Sequence, residues 1–166
     1  WGLHYIGDLT QPYHARVLPN YGTMGMLWIN TKAMMGFPTS KDQAIDRITA
    51  RHTAIEEYHF SVMAAAYAQN NLEHPFLQNL RNTGKDAGYG SFNDDYIVEK
   101  LTDESYDLSD KVDDLIDEAN LLQGFSEGNV LPEINKKALA ELDQVLATHM
   151  QGVGAHLRNY VRAGLK

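Results

Sequence analysis

Residues 40–68 read SKDQAIDRITARHTAIEEYHFSVMAAAYA, and their period decides the fold class. Ala44, Ile48, Ile55, Val62 and Ala66 recur at helical spacing and form an apolar stripe along one face. His52 and His59 fill gaps in that stripe, with Glu56 beside it. Ser40-x-x-Gln43, just after Pro38, has the pattern of a capping box, in which two side chains satisfy backbone N–H groups left free at a helix start. The segment predicts a long helix whose inward face holds two histidines and a carboxylate.

Working outward, the chain stays helical in both directions. HP, TGK and GYG turn signals between Asn70 and Phe92 predict a break. Leu108, Val112, Leu115, Ala119 and Leu122 then follow a helical period. The opposite face carries Asp110, Asp113, Asp114, Asp117 and Glu118, most simply a solvated acidic surface. A last helix is predicted from Pro132, at a first-turn position, with Leu139, Leu142, Leu146, Met150, Val153, Leu157, Tyr160 and Val161 on its apolar face. Gly152 and Gly154 within it predict a kink or a close helix crossing. Upstream, Val17 to Thr39 predicts a long loop with a short helix around Trp28 to Met35. Within it, Thr23 to Met35 reads as an apolar stretch packed on the core, with a lip beside a site or a lipid-contacting loop as the alternative. Trp1 to Leu9 reads as a helix ended by the approach to Pro12. It is apolar all round, which predicts burial and leaves Asp8 in need of a partner. No strand period and no repeat appears, so the fold class is all-α, with residues 1–166 as a single helical domain.

Composition narrows the chemistry. With 166 residues, of which 43% are hydrophobic and 10% aromatic, the chain is an ordinary globular one. No apolar run approaches a bilayer span. There are no cysteines, so disulfides and thiolate metal sites are excluded, and a zinc ion would have to be held by His, Asp and Glu. A net charge of −8 argues against broad electrostatic binding of nucleic acid, which needs clustered Lys and Arg.

Two further observations point to a metal. His4 and Asp8 are four residues apart, and so are His52 and Glu56, a spacing that puts each pair on one helix face. His14 follows Pro12 on a fixed turn, from which it could reach a neighbouring helix. These five groups offer imidazole nitrogen and carboxylate oxygen, donors that suit zinc. Other metal and hydrolase frameworks are missing parts. Glu56-x-x-His59 occurs without the second copy that a di-iron bundle needs. There is no His-Asp dipeptide, no His-Glu-x-x-His and no nucleophile elbow.

The stretch His4-Tyr5-Ile6-Gly7-Asp8-Leu9-Thr10-Gln11-Pro12-Tyr13-His14-Ala15 closely resembles the core motif of the zinc-dependent phospholipase C family, which is related to single-strand-specific zinc nucleases. His52-x-x-x-Glu56 resembles the family's second motif, and its Glu suits the phospholipase branch better than the nuclease branch. The resemblance covers residues 1 to 60 well, and beyond them only as helical character.

The resemblance implies a multi-helix domain with a cluster of three zinc ions that cleaves phosphodiesters. Residue by residue, it implies that His4 and Asp8 bind one zinc, with Asp8 bridging to a second as a catalytic carboxylate. His14, His52 and Glu56 would hold the separate zinc. The family's other ligands, among them an N-terminal Trp, further histidines and an aspartate, lie upstream of this motif. The chain therefore reads as the C-terminal portion of the domain, and Trp1 does not stand in the place of the family's Trp. The implied substrate is a phosphodiester, first a phospholipid and alternatively a nucleic acid, and the implied location is secreted or periplasmic. The remaining alternative is a non-catalytic helical module with one zinc at His14, His52 and Glu56.

Overall fold

The computed structural model of the chain describes residues 1–16, 19–37, 39–122 and 133–165. Among the described residues there are seven α-helices and no strands. They are α1 (Gly2–Leu9), α2 (Pro12–Ala15), α3 (Thr23–Met34), α4 (Thr39–Ala68), α5 (Pro75–Arg81), α6 (Asp103–Glu118) and α7 (Lys136–Gly164). A 3-10 turn (Asp86–Tyr89) and a π-helical turn (Ile97–Thr102) join α5 to α6. The cap expected of the Ser40 side chain and the start expected at Pro132 lie outside the described residues.

The core forms where the apolar stripes of α4, α6 and α7 meet. Ile55, Val112, Leu115, Ile116, Leu142 and Leu146 are all buried there, joined by Tyr13 from α2 and Phe76 from α5. A smaller cluster of Ile6, Tyr96 and Leu101 packs α1 against the π-helical turn and the end of α7. α7 starts at Asn135, whose side-chain oxygen accepts from the N–H groups of Lys137 (3.2 Å) and Ala138 (3.3 Å). Such a cap contributes about 1 kcal/mol.

The glycines of α7 mark a close crossing. A Cβ at Gly154 would lie 1.9 Å from the Leu80 carbonyl oxygen of α5, so only glycine lets the two helices approach this closely. Arg158, one turn further, donates to the carbonyls of Leu80 (2.6 Å) and Asn82 (2.7 Å) and caps the end of α5.

Four expectations need correction. The break between Asn70 and Phe92 contains α5, because His74-Pro75 is a helix start: His74 Nδ1 accepts from the Phe76 N–H at 3.3 Å and proline takes the first position. α1 is helical as expected but not buried all round. Ile6 is its one buried residue, and Trp1, Leu3 and Tyr5 are exposed. The stretch expected as an apolar loop packed on the core is largely the twelve-residue helix α3, with no buried residue. It lies against α4, with Gly25, Ile29 and Ala33 partly covered and Met24, Leu27, Trp28 and Met34 exposed.

The fourth correction concerns the acidic run on α6, which is not simply solvated. Asp113 is buried and Asp110 and Asp117 receive arginines. Two histidines without an expected role are structural. His149 Nε2 donates to the Thr10 carbonyl (2.7 Å), tying α7 to the turn before α2, and His156 Nδ1 meets the Tyr96 hydroxyl (2.9 Å).

Candidate metal centre

α2 is four residues long, and its sequence explains how so short a helix can aim a ligand. The Gln11 side-chain oxygen accepts from the Tyr13 N–H at 2.6 Å, and Pro12 fixes the first position. Tyr13 then enters the core, while His14 points toward α4. On α4, the four-residue spacing places His52 and Glu56 on the same face.

The three side chains converge. His14 Nε2 lies 2.8 Å from His52 Nε2, and His52 Nε2 lies 2.9 Å from Glu56 Oε1. The third side of the triangle, His14 Nε2 to Glu56 Oε1, is 3.8 Å. Their ligand atoms lie within 4.8 Å of one another, close enough to hold a metal ion, and no other His/Asp/Glu group among the described residues offers three such atoms. His52 is partly buried while His14 and Glu56 are exposed, so the group opens to solvent.

The chemistry of the donors fits a cation better than a network of protons. A ring nitrogen either carries a hydrogen or offers a lone pair. Nε2 of His52 therefore cannot donate to Glu56 and accept from His14 at once. A cation facing all three atoms removes the conflict, since each then offers a lone pair.

Behind these ligands lies a buried polar network that the sequence reading missed. The Tyr13 hydroxyl donates to Asp113 Oδ1 at 2.6 Å, and Arg51 Nη1 donates to the same oxygen at 2.7 Å. The Arg51 and Asp113 side chains are 4% and 3% exposed, so this is a fully desolvated pair. Arg51 also reaches Asp117, and Asn20 donates through Nδ2 to Asp113 Oδ2 at 2.9 Å. Burial and the adjacent Asp113 carboxylate push the Tyr13 hydroxyl far above the usual phenol range, so it remains a donor. Arg16, at the far end of α2, pairs with Asp110 at 2.6 Å and lies over the Tyr106 ring.

The other expected ligands are arranged differently. His4 Nε2 and Asp8 Oδ2 are 3.3 Å apart on α1, and their side chains are 66% and 37% exposed. They meet each other, and no third ligand of this kind joins them among the described residues. His59, expected as a core residue, is largely buried with its ring edge-on to Phe76 (centroids 5.5 Å apart) and its Nε2 without a hydrogen-bond partner. Burial and the nearby His149 lower its pKa to about 4, so it is neutral near pH 7. A hollow of about 640 Å³ between α6 and α7, lined by Lys85, Glu104, Asp107, Glu141 and His149 among others, includes none of the five expected ligands.

Comparisons with protein-family models, with characterised proteins and with solved structures find no match to this chain.

Proposed function

We propose that this chain is the zinc-binding helical portion of a phospholipase C-like phosphodiesterase, with zinc held by His14, His52 and Glu56. The observation that carries the reading is the convergence of those three donors from α2 and α4. Their chemistry, two imidazole nitrogens and one carboxylate oxygen, is that of an open zinc site with room for a water or a substrate oxygen. When bound, zinc supplies a Lewis acid for phosphate oxygens and lowers the pKa of a coordinated water. The chain's own part is to bring the three donors together and to keep Glu56 at the solvent-facing side, where a substrate arrives. His4 and Asp8 would belong to the paired-zinc position that the motif implies, with Asp8 as its catalytic carboxylate.

Two features favour phospholipid over the nuclease alternative. The net charge of −8 disfavours a polyanionic strand. The outward face of α3, with Met24, Leu27, Trp28 and Met34 exposed, suits contact with a lipid surface better than with a charged backbone. α3 packs on α4, and Tyr21 just before it contacts Arg47, about one turn before Arg51 and His52.

A second reading has its own observation: His4 and Asp8 pair with each other and no third ligand joins them among the described residues, which suits a non-catalytic helical module with a single zinc. One experiment separates the readings. The zinc-loaded chain is assayed for metal content and for cleavage of phosphatidylcholine vesicles and single-stranded DNA. Cleavage of the lipid supports the phospholipase reading, and cleavage of DNA alone favours the nuclease. About one zinc per chain with neither activity favours the module, and no bound zinc contradicts all three.

A further inference from the structure

The residues immediately preceding the two histidine ligands are Tyr13 and Arg51, and both reach the same atom. Tyr13 Oη and Arg51 Nη1 donate to Asp113 Oδ1 at 2.6 and 2.7 Å, and Arg51 Nη1 also donates to the Asp113 carbonyl at 3.1 Å. A single carboxylate on α6 thus joins the helix that carries His14 to the helix that carries His52. We propose that Asp113 is a positioning residue for the metal centre, holding α2 and α4 in the register that brings the His14 and His52 nitrogens together. The role rests on the reading of His14, His52 and Glu56 as a metal centre.

Three further observations support it. Metal-binding histidines are ordinarily oriented by a hydrogen bond to the other ring nitrogen. Among the described residues, no protein group hydrogen-bonds Nδ1 of His14 or His52. Orientation then falls to the backbone and to packing. The Tyr13 ring lies nearly parallel to the His52 ring, at 9° with centroids 6.2 Å apart, and His14 meets His52 edge-on at 4.6 Å. Fixing the Tyr13 hydroxyl therefore fixes the ring beside His52 and the backbone that leads into His14.

The second observation is length. A four-residue helix has no stability of its own, since forming the first turn is the costly step. α2 keeps its place through the buried Pro12 and Tyr13, the Tyr13–Asp113 bond and the Arg16–Asp110 pair. The third is burial: Asp113 is desolvated and both its carboxylate oxygens are satisfied, by Tyr13 and Arg51 on one and Asn20 on the other. A group so enclosed has few alternative geometries, and metal affinity depends on donor placement at about the 0.5 Å level.

The test measures Co²⁺ affinity by competition with a chromophoric chelator, together with the visible spectrum of the Co²⁺-loaded chain. Asp113→Asn keeps the shape and removes the charge. It is expected to lower Co²⁺ affinity by about 10- to 100-fold and to weaken the visible absorption as the donors lose their fixed arrangement. Tyr13→Phe spares the Arg51–Asp113 pair, so it keeps the core intact if Asp113→Asn fails to fold, and is expected to lower affinity about fivefold. Asp86→Asn breaks a comparable ion-pair cluster with Arg158 and Arg162 remote from the ligands. It should reduce thermal stability while leaving affinity within about twofold.

Wild-type affinity in both Asp113→Asn and Tyr13→Phe overturns the positioning role alone. An equal loss of affinity in Asp86→Asn also overturns it, because the effect would then be general loosening. A wild-type chain that binds no Co²⁺, or binds it undiminished in His52→Ala, overturns the metal centre and the positioning role with it.

Discussion

The stretch from His4 to His14 supplies candidate ligands to two regions that differ in almost everything except sequence proximity. On α1, the His4 and Asp8 side chains are 66% and 37% exposed and pair with each other, with no third ligand of this kind among the described residues. At the junction of α2, α4 and α6, His14, His52 and Glu56 converge above a desolvated Arg51–Asp113 pair and a buried tyrosine. The spacing of residues tells which side chains can share a face. What distinguishes the second face is the buried polar layer beneath it; under α1 the described residues place an apolar cluster instead.

The comparison breaks most sharply at Arg51. Removing one partner of a buried ion pair leaves a desolvated charge and costs about 3–5 kcal/mol. Arg51→Met is therefore expected to lower the stability of the metal-free chain by about 3 kcal/mol in urea unfolding, and a loss under 1 kcal/mol would place the pair in a far wetter setting than its exposure indicates. Next come the ligands themselves. His52→Ala should reduce zinc affinity by about 100-fold or more, while His4→Ala leaves the site at α2 and α4 within about twofold, as isothermal titration would register. Comparable losses in both variants would merge the two regions into one site.

His59 provides a pH-dependent test on the same helix. Its folded pKa of about 4 lies below its ordinary value of 6.5, so the unfolded chain takes up a proton that the folded chain refuses. The stability is fully present above pH 6.5 and is lost as pH falls toward 4, by about 2 kcal/mol from this group. Metal-free chain should lose stability across that window, and His59→Leu should flatten the loss; an unaltered slope would assign the acid sensitivity elsewhere. The smallest effect belongs to α1. Asp8→Asn removes an exposed i, i+4 pair and should change stability by no more than about 0.5 kcal/mol in thermal unfolding.

The sequence made the outline of this architecture readable because the stripes of α4, α6 and α7 are long and regular. Ala44, Ile55 and Ala66 are buried where the period puts them, as are Val112, Leu115 and Leu142. The grouping of His14 with His52 and Glu56 was legible only through the resemblance to the phospholipase C motif, since spacing alone pairs His52 with Glu56 and leaves His14 unassigned. The layer beneath was not, because charge was read as exposure. Arg51 lies in phase with Ile48 and Ile55, and Asp113 with the buried Ser109 and Ile116, so each charge sits on a buried stripe. Opposite charges in phase with two apolar stripes are the signal that would have found the pair. α1 fails for the converse reason: periodicity reports which residues are apolar, and not whether another element lies over them. α5 escaped because proline, read as a breaker before it, is also the favoured first residue of a helix.

The central claim is that two histidines from different helices share one metal ion. Zinc K-edge X-ray absorption of the zinc-loaded chain tests it most directly. The account predicts a shell with two imidazole nitrogens and carboxylate or water oxygens, dropping to one imidazole in His14→Ala. A wild-type shell of oxygen alone, or one unchanged in His14→Ala, would contradict it.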